Sequence, residues 1–283
     1  MKKIMLGALA LMIGAVGFAQ NNKSTVRQVG DDQLSEVIQH GNLNIAFQDQ
    51  AKHDQSAFIK QIGKRNEAYQ YQLKGFRQTA DIYQNGDDNW ARQQQEGVKN
   101  KAYATQTGND NDSRQKQLGK QSTATVIQSG NGNDARQNQD GGSYNNQGHL
   151  LIKQPGHNNY AYQDQVTIDK NTVGPPPNTG DVGNYAEIVQ KSNSNNAYQY
   201  QYGDLGEMKI MQKGNKDNYG YQLQDFGSER GMANLMQNGK ENESWQYQYG
   251  TDNTSNVSQT GNNHWSKVTQ YGATNTNTTV QTH

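Results

Sequence analysis

Cysteine is absent from all 283 residues, which removes both a disulfide framework and a thiolate metal site. Proline occurs four times, three of them together as Pro175, Pro176 and Pro177. Apolar residues make up 31% of the chain and the mean hydropathy is −1.12, too little for an ordinary globular core. Net charge is also missing, with 26 Lys and Arg against 26 Asp and Glu. No global field therefore draws the chain to nucleic acid or an anionic membrane. What fills the sequence instead is Gln, Asn, Gly, Ser, Thr and Tyr, a balance that on its own suits a disordered or prion-like tract.

The long apolar run, Ile4 to Phe18, follows Lys2 and Lys3 and ends at Gly17-Phe18-Ala19. Residues 1–19 read as a secretory signal peptide; a membrane anchor would need about 20 apolar residues and a flank without a cleavage site. No Cys follows, so lipidation there is excluded. The expected mature chain is secreted and begins near Gln20, with 20–25 as a short N-terminal segment.

From residue 26 onward the chain is periodic. Anchor glutamines stand at 28, 39, 50, 61, 72, 84, 95, 106, 117, 128, 139, 154, 165, 190, 201, 212, 224, 237, 248, 259, 270 and 281, and 16 of the 21 steps are 11 residues long. So strict a period marks a repeat protein. Glycine stands two residues after the anchor in 16 of the 21 turns, including Gly41, Gly63, Gly86, Gly108, Gly130, Gly156, Gly214 and Gly239. Its tolerance of positive φ places a tight turn there. Asn follows three residues later at Asn44, Asn66, Asn89, Asn111, Asn133 and Asn159, where its side chain can brace the turn. About six residues remain per unit, the length of an ordinary strand.

Alternation along a strand puts the residues two, four and six before each anchor on the anchor's own face. Four before it stands a small residue, as in Ala46, Ala57, Ala68 and Ala80, so this face points inward. Two before it the series runs Val37, Gln48, Ile59, Gln70, Ile82, Gln93 and onward to Val257, apolar and Gln in strict alternation. The structural repeat is therefore 22 residues built from two 11-residue halves. The expected fold is all-β, a β-solenoid of about 11 two-strand rungs with two facing parallel sheets. Buried amides are tolerable there because each meets its counterpart one rung above and below. The expected ladder comprises Gln39, Gln50, Gln61, Gln72, Gln84, Gln95, Gln106, Gln117, Gln128 and Gln139, then Gln154, Gln165, Gln190, Gln201 and Gln212, with the six Asn named above.

The two edges differ. Turns from apolar-type to Gln-type strands keep Gly in nine of ten cases, while the return turns hold four of the five insertions. The longest, a Pro-rich loop near 167–183, contains Gly174-Pro175-Pro176-Pro177, which cannot sit inside a ladder.

Gln-x-Gly-x-x-Asn-x-Ala-x-x-x-Gln occurs as Gln61-Gly63-Asn66-Ala68-Gln72, Gln84-Gly86-Asn89-Ala91-Gln95 and Gln128-Gly130-Asn133-Ala135-Gln139. This pattern resembles the curlin repeat of bacterial curli subunits, and Ser122 matches the Ser that family places six before the first Gln. The resemblance implies a secreted functional-amyloid subunit of the biofilm matrix, read as major-subunit-like with the minor nucleator subunit of the same fibre as an alternative. It further implies an extracellular fibre at the cell surface, a nucleator partner and dedicated outer-membrane export machinery. The bulk composition and the strand-like, uncharged final unit, Asn275 to Gln281, agree with self-stacking. The competing expectation is a monomeric secreted solenoid that binds a surface, as an adhesin or an ice-binding protein does.

Three before the closing Gln of the Gln-type strands stand Phe47, Tyr69, Arg92, Arg114, Arg136, Tyr162, Tyr198, Tyr221 and Trp245, all expected to face outward. Stacked aromatics can simply support neighbouring strands. The alternative is a contact row for bundling, adhesion or matrix polysaccharide, with the Arg run facing either an anionic partner or acidic neighbours such as Asp134. His40, His53, His149, His157, His264 and His283 are scattered without ligand spacing, and no nucleophile, base and acid can be placed together. Neither an enzyme nor a cofactor or metal site is expected.

Overall fold

The computed structural model describes residues 21–145, 148–166, 183–203, 205–225 and 228–282, with side chains left out for 141–145. The leader and the proline triplet lie outside these residues.

Twenty-two strands form two parallel sheets of eleven. The first, the glutamine sheet, contains β1 (Lys23–Asp31), β3 (Ile45–His53), β5 (Glu67–Phe76) and β7 (Trp90–Val98). It continues through β9 (Asp112–Lys120), β11 (Asp134–Asn145), β13 (Tyr160–Val166) and β15 (Asn196–Gln201). It ends with β17 (Tyr219–Gln224), β19 (Glu243–Tyr249) and β21 (Trp265–Tyr271). The second, the apolar sheet, contains β2 (Leu34–Asn42), β4 (Ser56–Lys64), β6 (Thr79–Asn85) and β8 (Lys101–Thr107). After these come β10 (Thr123–Ser129), β12 (His149–Gln154), β14 (Tyr185–Gln190) and β16 (Glu207–Lys213). Last are β18 (Met232–Lys240), β20 (Thr254–Asn262) and β22 (Thr276–Thr282). Consecutive strands lie in opposite sheets, so each odd strand and the even strand after it make one rung, and the eleven rungs are numbered here in chain order.

Register follows the anchors. Gln50 pairs with Gln72, Gln72 with Gln95 and Gln61 with Gln84, so the 12-residue step at Gln72 is absorbed in the turn. The 15-residue step between Gln139 and Gln154 likewise leaves Gln128 opposite Gln154. A slip of one residue would turn every inward side chain outward, which is why insertions are confined to turns.

The core explains the alternation of strand types. The apolar column Ile59, Ile82 and Ala104 of one sheet packs on the small column Ala46, Ala68 and Ala91 of the other. The same pairing carries Val126, Ile152, Ile188 and Ile210 against Ala135, Ala161 and Ala197. In the complementary half of each rung, the large residue is the inner Gln and the small one is the Ala of the apolar sheet: Gln70 Nε2 donates to Ala80 O at 2.7 Å. Large against small fills each layer at constant thickness, so two uniform sheets can close over one another. Leu150 and Met208 break this pattern, both fully buried where the apolar sheet otherwise has Ala, or Ser35, Ser255 and Asn277 toward its ends. On the facing sheet Gly220 replaces Ala, and a Cβ there would lie 2.8 Å from Leu235 Cδ2.

Candidate functional site

Two anchor-glutamine ladders run the length of the stack, and a third, inner ladder runs from rung 2 to rung 10. The anchors of the apolar sheet connect Nε2 to Oε1 from Gln39 through Gln61, Gln84 and Gln106 to Gln128 at 2.8 to 2.9 Å. The chain continues through Gln154, Gln190 and Gln212 at 2.9 to 3.0 Å. Those of the glutamine sheet connect Gln50, Gln72, Gln95, Gln117 and Gln139, then Gln165 and Gln201. The third ladder joins the inner residues Gln48, Gln70, Gln93 and Gln115 at 2.8 to 3.0 Å. All of these except Gln39 are buried. Most of these amides donate further bonds: Gln61 Nε2 donates to Asn66 O and, across the core, to Ile45 O, each at 2.9 Å. Two sheets that carry no disulfide between them are thus tied by side-chain amides.

Every one of these ladders has the same polarity. Nε2 donates toward the C-terminal end of the stack and Oε1 accepts from the N-terminal side.

The inner ladder is closed at both ends within the molecule. Its column begins with Val26 and ends with Val268, and Ser35 Oγ donates to Gln48 Oε1 where a preceding Gln would. At the far end Gln246 Nε2 donates to Ser255 Oγ at 2.8 Å.

Asn44, Asn66, Asn89, Asn111, Asn133 and Asn159 form a buried column at the uniform edge. Asn66 donates through N and Nδ2 to Asn44 Oδ1, at 3.0 and 3.1 Å, and through Nδ2 to Gly86 O at 2.7 Å. The bracing expected within one turn is present, Asn44 Nδ2 donating to His40 O at 3.2 Å and Asn66 Nδ2 to Ile62 O at 3.4 Å, and the bond to the turn of the next rung is added to it. Asn195 and Asn218 extend this column and escape the motif, since Ser192 replaces the turn glycine before one and an extra residue precedes the other. His264 closes it, buried, with its N donating to Asn242 Oδ1 and Nε2 3.0 Å from Thr260 O; it is not the solvated turn histidine that its position suggests.

Two causes act on the turn glycines, and close contact with the next rung is common to Gly41, Gly63, Gly86, Gly108, Gly130, Gly156, Gly214 and Gly239. Gly41, Gly63, Gly86, Gly108, Gly214 and Gly239 have φ between 96° and 149°, as expected. Gly130 and Gly156 are not among the positive-φ residues. There the constraint is contact: a Cβ on Gly130 would lie 2.1 Å from Gly156 O, and one on Gly156 2.3 Å from Ser192 O. The left-handed residue of most turns is a later, non-glycine one, such as Arg65 (φ 54°), Asp88 (58°) or Asp110 (56°).

The outward row is in register along the glutamine sheet, Phe47 beside Tyr69, Tyr69 beside Arg92, and so on to Trp245. Its arginines have acidic neighbours: Arg114 pairs with Asp112 at 2.8 Å and Arg136 with Asp134 at 2.7 Å. Each also lies over a ring, Arg92 on Tyr71 at 5.1 Å, Arg114 on Trp90 at 4.9 Å and Arg136 on Tyr160 at 5.5 Å. Burial raises the Asp112 carboxyl, with Arg114 acting in the opposite direction. Farther along, Tyr162, Tyr200, Tyr221 and Tyr247 touch in sequence with centroids 5.4 to 5.5 Å apart, and Tyr198, Tyr219 and Trp245 run beside them. Burial pushes the Tyr162 and Tyr221 phenols up to about 12.

Among the described residues, strands β1, β2, β21 and β22 end the sheets, each with one unpaired edge. Half of the exposed large apolar side chains among the described residues lie on these two rungs: Val26, Val29 and Leu34 on the first, Trp265, Tyr271 and Val280 on the last. On the first rung the buried atoms Asn22 Nδ2 and Gln33 Oε1 have no hydrogen-bond partner. Among the described residues no group of three His, Asp or Glu side chains converges as metal ligands would. No protein-family model and no curated protein matches this chain.

Proposed function

We propose that this chain is a secreted structural subunit that polymerises by end-to-end stacking of its rungs into an extracellular, curli-like amyloid fibre of the biofilm matrix. The observation that carries the reading is the pair of complementary ends. Rung 11 ends the ladders with the amides of Gln270 and Gln281, and rung 1 begins them with the Oε1 atoms of Gln28 and Gln39 in the same columns. Donor end meets acceptor end only head to tail; head to head would set oxygen against oxygen. Stacking also brings Val268 onto Val26, Tyr271 onto Val29 and Val280 onto Ile38, covering apolar surface that a soluble solenoid shields with a cap. A preceding rung is likewise what Asn22 Nδ2 lacks, since Asn66, Asn89, Asn111 and Asn133 each donate Nδ2 to the Asn of the rung before.

In this reading the chain forms the fibre body, with a nucleator, export machinery and matrix polysaccharide as its partners. The test is dilution of the mature chain from denaturant, followed by thioflavin T fluorescence, electron microscopy and fibre diffraction. Self-seeding fibres with a reflection at about 4.8 Å along the axis are expected. A stable soluble β-rich monomer would overturn the assignment in favour of a surface-binding solenoid.

A further inference from the structure

The outward face of the glutamine sheet is divided along the stack. Its central row carries cations at rungs 4, 5 and 6 (Arg92, Arg114, Arg136) and aromatics at rungs 7 to 10 (Tyr162, Tyr198, Tyr221, Trp245). Turning a second copy by 180° about the strand direction through rung 7 sets rung 4 on rung 10, 5 on 9 and 6 on 8. Strand direction is kept, so each row meets itself reversed.

We infer that this face pairs with the same face of a second copy, the two solenoids antiparallel and related by a two-fold axis through Tyr162. In the central row the pairing gives Arg136 on Tyr198, Arg114 on Tyr221 and Arg92 on Trp245, each twice. Tyr69 meets Lys267 by the same operation. This is the chemistry the arginines already use within the molecule, where all three lie 4.9 to 5.5 Å from a ring centroid. The neighbouring row is complementary in the same register: Asp112 meets Tyr219, Glu243 meets Trp90 and Asp134 meets Asn196, so each carboxylate faces a donor.

The register is selective. A shift of one rung in one direction puts Arg92 against Lys267, and in the other Glu67 against Glu243. In the chosen register the like-charge contact is Asp164 against itself on the axis, where Asn138 Nδ2 bonds Asp164 Oδ1 at 2.8 Å and Tyr202 Oη lies 3.3 Å from Oδ2. Nine rungs at about 4.8 Å and three outward positions per strand bury roughly 800 Å² per copy, the area of a standard stable interface. An isologous contact of this kind closes as a pair. The pairing over rungs 3 to 11 is independent of end-to-end stacking. In a stacked fibre the same operation also sets Arg27 of rung 1 on Asp49 of rung 2 in the facing filament, so the whole face is used.

Because the chain has no native thiol, single cysteines report the geometry directly. Facing sheets lie about 10 Å apart, too far for a disulfide and suited to a short bismaleimide. Tyr162→Cys is expected to crosslink to dimers. Arg114→Cys mixed with Tyr221→Cys is expected to do the same, while Arg114→Cys alone and Thr125→Cys on the opposite sheet give at least five-fold less. Asp164→Asn added to Tyr162→Cys raises the crosslinked fraction two-fold or more. Each variant is first checked for an unchanged β-rich circular dichroism spectrum. Arg114→Cys crosslinking alone as well as in the mixture would establish parallel pairing and overturn the inference, as would Tyr162→Cys at the level of Thr125→Cys. Fibres without these crosslinks remove the lateral pairing and leave the stacking; crosslinked dimers without fibres do the reverse.

Discussion

At the residue scale, what makes a polar interior stable is that each amide has an identical neighbour. Gln93 accepts from Gln70 at 3.0 Å and donates to Gln115 at 2.8 Å and Asp81 O at 2.9 Å. Gln93→Ala leaves Gln115 Oε1 without its donor inside the core, while Gln70 Nε2 keeps Phe58 O and Ala80 O, so the expected loss is roughly 1 to 3 kcal/mol, read as a lowered guanidinium midpoint. The turns allow a second comparison. Gly130→Ala is expected to cost several kcal/mol although φ there is not positive, because the added carbon strikes Gly156 O. Asp110→Gly, at φ 56°, is expected to raise stability by up to about 1 kcal/mol, since a non-glycine residue is held in the left-handed region there. A negligible cost at Gly130→Ala together with a gain at Asp110→Gly would show that turn dihedrals alone set the glycine pattern.

At the scale of the element, the glutamine sheet carries a ring array whose ionisation is tied to folding. Tyr162, Tyr219 and Tyr221 are pushed up to about 12 in the folded chain, burial being the first cause, against about 10 for a free phenol. The folded state therefore holds protons that the unfolded chain has lost between these values. Stability is unaffected below about 10 and falls as pH rises through 10 to 12. Denaturant midpoints taken at intervals from pH 8 to 12, with the phenolate absorbance followed in parallel, should drop together with late tyrosine ionisation. A flat midpoint through this range would remove the coupling. Arg114 and Arg136, by contrast, are neutralised locally by Asp112 and Asp134 and lie over the rings of Trp90 and Tyr160.

For the whole molecule, the eleven rungs of the described residues, without a covered edge among those residues, form a unit whose ends match. Proline at both Thr278 and Thr279 of β22 removes two N–H groups from the terminal strand and obstructs the next rung whichever way each points. The expected result is loss of C-terminal extension in a seeded-growth assay, with the β-rich spectrum of the remaining rungs preserved. Unchanged elongation from both ends would separate polymerisation from rung stacking.

The sequence by itself determined the rung count, the parallel register, the inward face and the division into a glutamine and an apolar sheet. These depend on a period of 11 and a side-chain alternation of two, both of which are properties of the chain read in order. The ladders at Gln61 or Asn66 were legible for the same reason, since in-register stacking places like on like. Three-dimensional closure decided the rest. Which large residue faces which small one, as in Ile59 on Ala46, depends on how the two sheets oppose, and no spacing along the chain records it. The cause of Gly130, the burial of His264 and the pairing of Arg114 with Asp112 arise from atoms on other strands or from the local rotamer. Asn195 and Asn218 were hidden because a motif tied to glycine fails where Ser192 or an inserted residue makes the same turn.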